Sequence, residues 1–204
     1  MTITYPLDLP AAPSAPARIR LVAEDVVGMS VSPFTAEQQV YEHPGKFWRA
    51  EVELPAMTRD TAEPWAAFLV ALKGRRGTFR MGDPAARTPR GAATGTPLVL
   101  GAGQAGALLV TDGWTAGVTG ILKAGDYLQL EDRLYKVLQN ASSNGSGQAT
   151  FDIWPNLRSS PADNAALTVF AARGLWRLAA NERGWSIGAS AFFDPLAFGA
   201  VEAL

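Results

Sequence analysis

The chain has no cysteine, which excludes disulfide bridges and thiolate metal sites and suits folding in a reducing compartment. It has one histidine, His43, so no pair of imidazoles is available to build a metal site. Charge is scarce and balanced: 18% of residues are charged, with eighteen basic against nineteen acidic and a net charge of −1. A general nucleic-acid binder needs a basic face to displace counterions, and this balance argues against one. No apolar run approaches the roughly 18 residues of a membrane-spanning helix. The opening MTITYPLDLPAAPSAP lacks a basic start and an apolar segment, so it does not read as a signal peptide.

What is present points to a β-rich globular protein. Of 204 residues, 48% are apolar, and twenty glycines and fourteen prolines are spread along the chain. That composition fits many turns between short strands and has ample material for a core. The most informative stretch runs from Leu122 to Val169. In it, Tyr127–Leu130, Leu134–Leu138 and Ala149–Trp154 alternate at period two, each bounded by glycine, aspartate, asparagine or serine. Such runs predict antiparallel strands. Trp154-Pro155 closes the third, because proline has no N–H for a ladder. A fourth run, Ala165 to Phe170, follows the polar turn Ser159 to Asn164.

Taken in order, residues 2–16 hold four prolines and predict an extended arm or peripheral strand rather than a helix, an arm of this type either fraying or lying on a neighbour. Arg18–Val22 alternates as a half-buried strand, and a polar stretch surrounds Ser32-Pro33-Phe34-Thr35. From Phe47 to Leu54, Trp48, Ala50, Val52 and Leu54 share one face while Arg49, Glu51 and Glu53 share the other. One helix is predicted over 58–73. Thr58 stands at its cap, Asp60 and Glu63 sit in the first turn, and Pro64 lies near the start. Trp65, Phe68, Leu69 and Leu72 form its apolar stripe, and Gly74 ends it. Another strand is expected at Thr78–Met81.

Between Ala85 and Gly120, glycine, alanine and threonine dominate, with short strands expected at Pro97–Leu100 and Ala107–Thr111. After Gly174, strand patterns return at Leu175–Leu178 and Trp185–Ile187, and Phe192–Val201 can finish a sheet. The expected organisation is mainly β: a discontinuous β-sandwich and helix core, 1–84 plus 171–204, interrupted by a small barrel-like β-domain over 85–170.

No motif builds a catalytic constellation. Gly101-Ala102-Gly103-Gln104-Ala105-Gly106 matches G-x-G-x-x-G, with Asp126 twenty residues further on. A dinucleotide site needs a helix opening at the third glycine to hold the pyrophosphate. Here Gly113, Gly117 and Gly120 deny one, so the motif reads as a glycine-rich loop and no cofactor is expected. His43, in Glu42-His43-Pro44-Gly45, reads as a turn residue. Asp112, Asp126, Asp132, Asp152 and Asp163 lack calcium-loop spacing and read as turn residues bonded to nearby backbone. Arg87, Arg90 and Arg158 are scattered and read as solvated. Trp48, Trp65 and Trp176 fall on core patterns. Trp114 and Trp154 are left as candidate stacking or partner contacts.

An ordered set of segments carries a resemblance: Gly82-Asp83-Pro84, Thr88-Pro89-Arg90-Gly91, the Gly101–Gly106 loop, Thr111-Asp112-Gly113-Trp114, Leu122–Tyr127, Leu134–Val137 and Ile153–Arg158. In these the chain, from "GKFW" to "AVEAL", resembles tail proteins of long-tailed bacteriophages and prophages, most nearly distal tail proteins. The resemblance implies a structural virion protein rather than an enzyme. It implies a homo-oligomeric, hexameric ring joining tail tube to tail tip or baseplate, built from a β-sandwich and helix core with a peripheral β-domain. The tail tube protein and the tail-tip hub would be its partners, DNA would pass through the ring without sequence-specific contact, and no membrane or cofactor is involved. It carries no catalytic residues over. The competing expectations are a carbohydrate- or small-molecule-binding β-module, with Trp114 or Trp154 as its stacking surface, and another minor tail or tail-tip hub protein.

Overall fold

A computed structural model describes residues 2–11, 15–188 and 192–204. It is mainly β, with two six-stranded sheets and one α-helix. The strands, in chain order, are β1 (Leu7–Asp8), β2 (Arg18–Val31), β3 (Gln38–Glu53), β4 (Phe79–Met81), β5 (Gly95–Val99) and β6 (Leu108–Trp114). There follow β7 (Tyr127–Leu130), β8 (Arg133–Val137), β9 (Ala149–Trp154), β10 (Leu167–Thr168), β11 (Gly174–Leu178) and β12 (Ala197–Glu202). The first sheet has the order β1-β4-β11-β12-β3-β2, and the second β10-β7-β8-β9-β6-β5. All of the second sheet lies in the chain between β4 and β11, so one sheet is inserted between strands of the other.

The second sheet curls until it nearly closes. Its first and last strands are joined where Leu98 bridges Ala166 and the Val99 N–H donates to the Ala165 carbonyl at 2.9 Å. Closure hides the edges that a short sheet would otherwise expose. Inside lie Val99, Leu109, Ile121, Leu122, Leu128, Val137, Phe151 and Ile153, each contributing about 1.5–3 kcal/mol by leaving water. Gly91 is fixed by close approach: a Cβ there would stand 2.3 Å from the Ile121 carbonyl oxygen.

The helix α1 spans Arg59–Ala71, within the predicted 58–73. Thr58 occupies the cap position, but its side chain makes no capping bond. The helix ends where Lys73 takes a left-handed φ of 52°, one residue before the expected Gly74. Its stripe of Trp65, Phe68, Leu69 and Leu72 packs with Trp48, Ala50 and Val52 of β3, Phe79 and Met81 of β4, and Trp176 and Leu178 of β11. Edge-on aromatic contacts at 5.5–5.9 Å link Trp65, Phe68 and Phe79.

Of the two forms expected for residues 2–16, the described part takes that of a peripheral strand, and it lies on its own chain rather than on a neighbour: β1 pairs in parallel with β4, Tyr5, Leu7 and Leu9 pack on the helix-covered core, and the Tyr5 hydroxyl donates to the Ala71 carbonyl at 2.6 Å. Residues 12–14 of that stretch lie outside the described residues. Two other elements differ from expectation. Trp185–Ile187 forms no strand beyond a bridge from Ile187 to Phe193. The largest difference is length. The strands expected at 18–22 and 47–54 extend into a hairpin of fourteen and sixteen residues.

Candidate functional site

The hairpin of β2 and β3 begins inside the first sheet and leaves it. Near its base, Ile19, Leu21 and Ala23 oppose Val52, Ala50 and Trp48, and salt bridges Arg18–Glu53, Arg20–Glu51 and Arg49–Glu24 cross the opposite face. The register then shifts. Glu24 opposes Phe47 but Val26 opposes His43, so Pro44, Gly45 and Lys46 stand against Asp25 alone. Such an irregularity bends a ribbon and increases its twist, and it gives Pro44 a place in a strand.

Beyond that point residues 26–31 and 38–43 pair, among the described residues, only with each other. β12 reaches β3 only over Arg49–Glu53, so the outer half of β3 has a free edge. β2 closes the sheet on the other side and is free along its whole length. Alternation places Val27, Met29, Val31 and Val40 on one face and Val26 and Tyr41 on the other, and all six are exposed. At the tip the Ser32 Oγ accepts from the N–H groups of Phe34 and Thr35, which turns Phe34 outward with 94% of its surface in water.

The base of this ribbon is held by the barrel. The Trp154 Nε1–H donates to Asp25 Oδ1 at 2.9 Å. Trp48 meets Trp154 edge-on at 4.5 Å and donates its own Nε1–H to the Leu134 carbonyl at 2.9 Å. The Trp48 backbone N–H donates to Glu202, and Glu202 forms a largely buried ion pair with Arg158 at 2.7 Å. Both Trp154 and Arg158 belong to the inserted segment, so the ribbon root and the barrel are joined through aromatic rings and one ion pair.

The residues singled out in the sequence are scattered. Trp114 and Trp154 are 4% and 9% exposed. The Trp114 indole N–H is taken by Thr111 Oγ1 at 2.8 Å and that of Trp154 by Asp25, so neither presents a ring for stacking. The Gly101–Gly106 loop joins antiparallel β5 and β6 without a helix. Its three glycines have φ of 82–83°, which explains the motif by turn geometry, and Gln104 braces the loop by bonding Leu100 and Val110. Buried Asp126 accepts from the backbone N–H groups of Arg90, Gly91 and Lys123. Asp163 accepts from Gly101, and Asp132 pairs with Arg80. His43 stands on the ribbon opposite Val26. Arg90 donates to the Ala124 carbonyl. Arg87 lines an open depression of about 530 Å³ with Asp83, Gln129, Phe170 and Arg173.

Among the described residues no group of three or more His, Cys, Asp or Glu side chains could hold a metal ion, and no helix is long and apolar enough to cross a membrane. Two tyrosines titrate abnormally. Burial, reinforced by the Asp83 carboxylate, pushes the Tyr127 phenol well above its ordinary value, and burial raises Tyr135. No protein-family model matches the sequence, and no curated protein matches it.

Proposed function

We propose that the protein is a non-catalytic structural component of a bacteriophage tail, a distal tail protein that assembles as a homo-oligomeric ring between tail tube and tail tip. The observation that carries this reading is the two-edged ribbon. An isolated two-stranded hairpin is marginal in water, and a long edge with exposed apolar side chains is a template for pairing with another chain. The free edge of β2 and the free outer edge of β3 lie on opposite sides of the ribbon. The β2 of one copy can therefore add to the β3 of the next, leaving a fresh β2 edge for a third. That contact is heterologous, and it closes into a ring when the rotation between copies closes; the resemblance to distal tail proteins sets the expected number at six. In this reading the protein is made in the host cytoplasm and resides in the virion, with the tube protein and tip hub above and below it.

The test compares the full chain with a variant whose residues 27–42 are replaced by Asn-Gly, a two-residue turn that reseals the hairpin. Light scattering and negative-stain images of the full chain should give rings of about six copies, and the shortened variant a folded monomer. A full chain that stays monomeric at high concentration, or a shortened variant that forms the same rings, overturns the assignment.

A further inference from the structure

The first sheet has two dissimilar ends. At one end is the ribbon, whose outer residues 26–43 include Glu37 and Glu42 but no lysine or arginine. The strand β3 runs from there, roughly 50 Å at strand spacing, to Glu53, which pairs with Ala197. This far end is where α1 stops against the chain leaving β11. Lys73, Arg75, Arg76, Arg177 and Arg183 gather there, and none of the five forms an ion pair among the described residues.

The arginines at this end are held by backbone. Arg177 donates to the carbonyls of Arg75 and Arg76 at 3.1 Å, Arg75 Nε to that of Ala179 at 2.8 Å, and Arg183 to that of Asn181 at 2.6 Å. Carbonyls orient these guanidiniums without cancelling their charge; Glu182 and Asp194, whose backbone N–H donates to the Ser186 carbonyl, are the carboxylates in the adjoining segment, fewer than the five cations. The loop that continues from Arg183 exposes Trp185, Ile187 and Phe192. One end is therefore basic with apolar neighbours. At the other, Glu42 is paired with Lys46 at 2.5 Å, so Glu37, beside exposed Phe34, is the tip's carboxylate outside any ion pair among the described residues.

We infer that the basic end is a docking surface for the ribbon tip of a second copy, so that copies stack head to tail along the strand direction. The two surfaces are opposite in charge and share apolar character, and they lie at opposite ends of β3. A contact of this type is heterologous and leaves both terminal surfaces free, so it propagates. It goes beyond ring formation: edge pairing uses the sides of the ribbon, whereas stacking uses the turn from Ser32 to Glu37.

The experiment is a charge swap on the full chain. Glu37→Lys changes an exposed tip residue, and Lys73→Glu with Arg76→Glu changes two exposed side chains that make no hydrogen bond of their own among the described residues. Sedimentation at low ionic strength should show the unaltered protein in multiples of its basic assembly, collapsing to that single assembly in high salt, where exposed charges are screened. Each variant alone should stay at the single assembly. An equal mixture of the two should recover the multiples, because the reversed tip now meets a reversed surface. The inference is overturned if the unaltered protein never stacks, if both variants stack as it does, or if the mixture fails to recover. Duplex DNA binding that depends on Lys73 and Arg76, without stacking, would also overturn it and assign the surface to nucleic acid. The mass of the single assembly in high salt reports separately on whether a ring forms at all.

Discussion

Asp25 and Trp154, separated by 129 positions in the chain, share a hydrogen bond of 2.9 Å from the indole N–H to the carboxylate. Asp25 lies where the ribbon leaves the first sheet, and Trp154 ends the barrel strand β9. Trp154 is also stacked edge-on against Trp48, so one side chain of the barrel holds the ribbon root on two sides. This arrangement gives a projecting hairpin a fixed direction, which any repeated assembly through it requires.

Removing the acceptor tests that joint. Asp25→Ala strands the Trp154 N–H in a largely buried position, at a cost of about 1–2 kcal/mol. For a chain of this size that lowers the melting temperature by a few degrees, roughly 2–4 °C per kcal/mol. Hydrogen exchange should quicken at residues 22–28 and 41–48 while the barrel interior is unchanged. Uniform protection in the variant would show that the bond does not orient the ribbon.

Asp126 makes a sharper prediction. Its carboxylate is 3% exposed and accepts from three backbone N–H groups at 2.8–3.1 Å. Asp126→Ala leaves those donors without their acceptor inside the barrel and should cost about 3 kcal/mol, since each orphaned group carries about 1–3 kcal/mol. Asp126→Asn keeps one acceptor oxygen and should lose less. Urea unfolding of the two variants checks the order; equal loss would mean that charge, not acceptor geometry, holds the turn.

The amino-terminal arm is predicted to stabilise the protein that carries it. Sequence alone left it an extended arm or a peripheral strand, with a neighbour as its candidate contact, because prolines exclude helix and nothing local fixes where such a segment lies. Its apolar side chains pack on the chain's own core, and Tyr5 reaches the Ala71 carbonyl at the helix end. Deleting residues 2–10 should lower the melting temperature at every protein concentration. Tyr5→Phe should lose about 1 kcal/mol, the value of one such bond. A truncated chain that melts normally but assembles poorly would restore the arm to an intermolecular role.

The same contrast explains how much of the fold was legible. Strands with one buried face wrote their pattern plainly: Trp48, Ala50 and Val52 alternate with Arg49 and Glu51, and β7 to β9 do likewise between turns. The helix was legible because Trp65, Phe68, Leu69 and Leu72 fall on one stripe. The outer ribbon was not, because neither of its faces is covered by its own chain. Val27, Met29 and Val31 therefore alternate with Val26, Gly28 and Ser30 without a polar face to contrast with. Pro44 then argued against a strand, and only the irregular pairing around Asp25 accommodates it. The pair Arg158–Glu202 was also invisible, since 44 positions separate a lone arginine from a lone glutamate, and burial alone distinguishes them from solvated charges.

Tyr127 ties stability to alkaline pH. Its phenol is buried beside the Asp83 carboxylate, with Lys136 Nζ 2.9 Å from its oxygen. Burial favours the neutral phenol and raises its folded pKa well above the unfolded value of about 10. The contribution is whole below that unfolded value. As pH rises past it, the unfolded chain gives up a proton that the folded chain keeps, and stability falls towards about 1.4 kcal/mol per pH unit for this group. Tyr127→Phe should be less stable at neutral pH by about 1 kcal/mol for the lost bond, yet it lacks the alkaline penalty. The stability difference between the two proteins, followed by denaturant titration from about pH 7 to about pH 11, should therefore shrink and then reverse. Parallel curves across that range would mean that Tyr127 ionises in the folded protein as readily as in the unfolded chain.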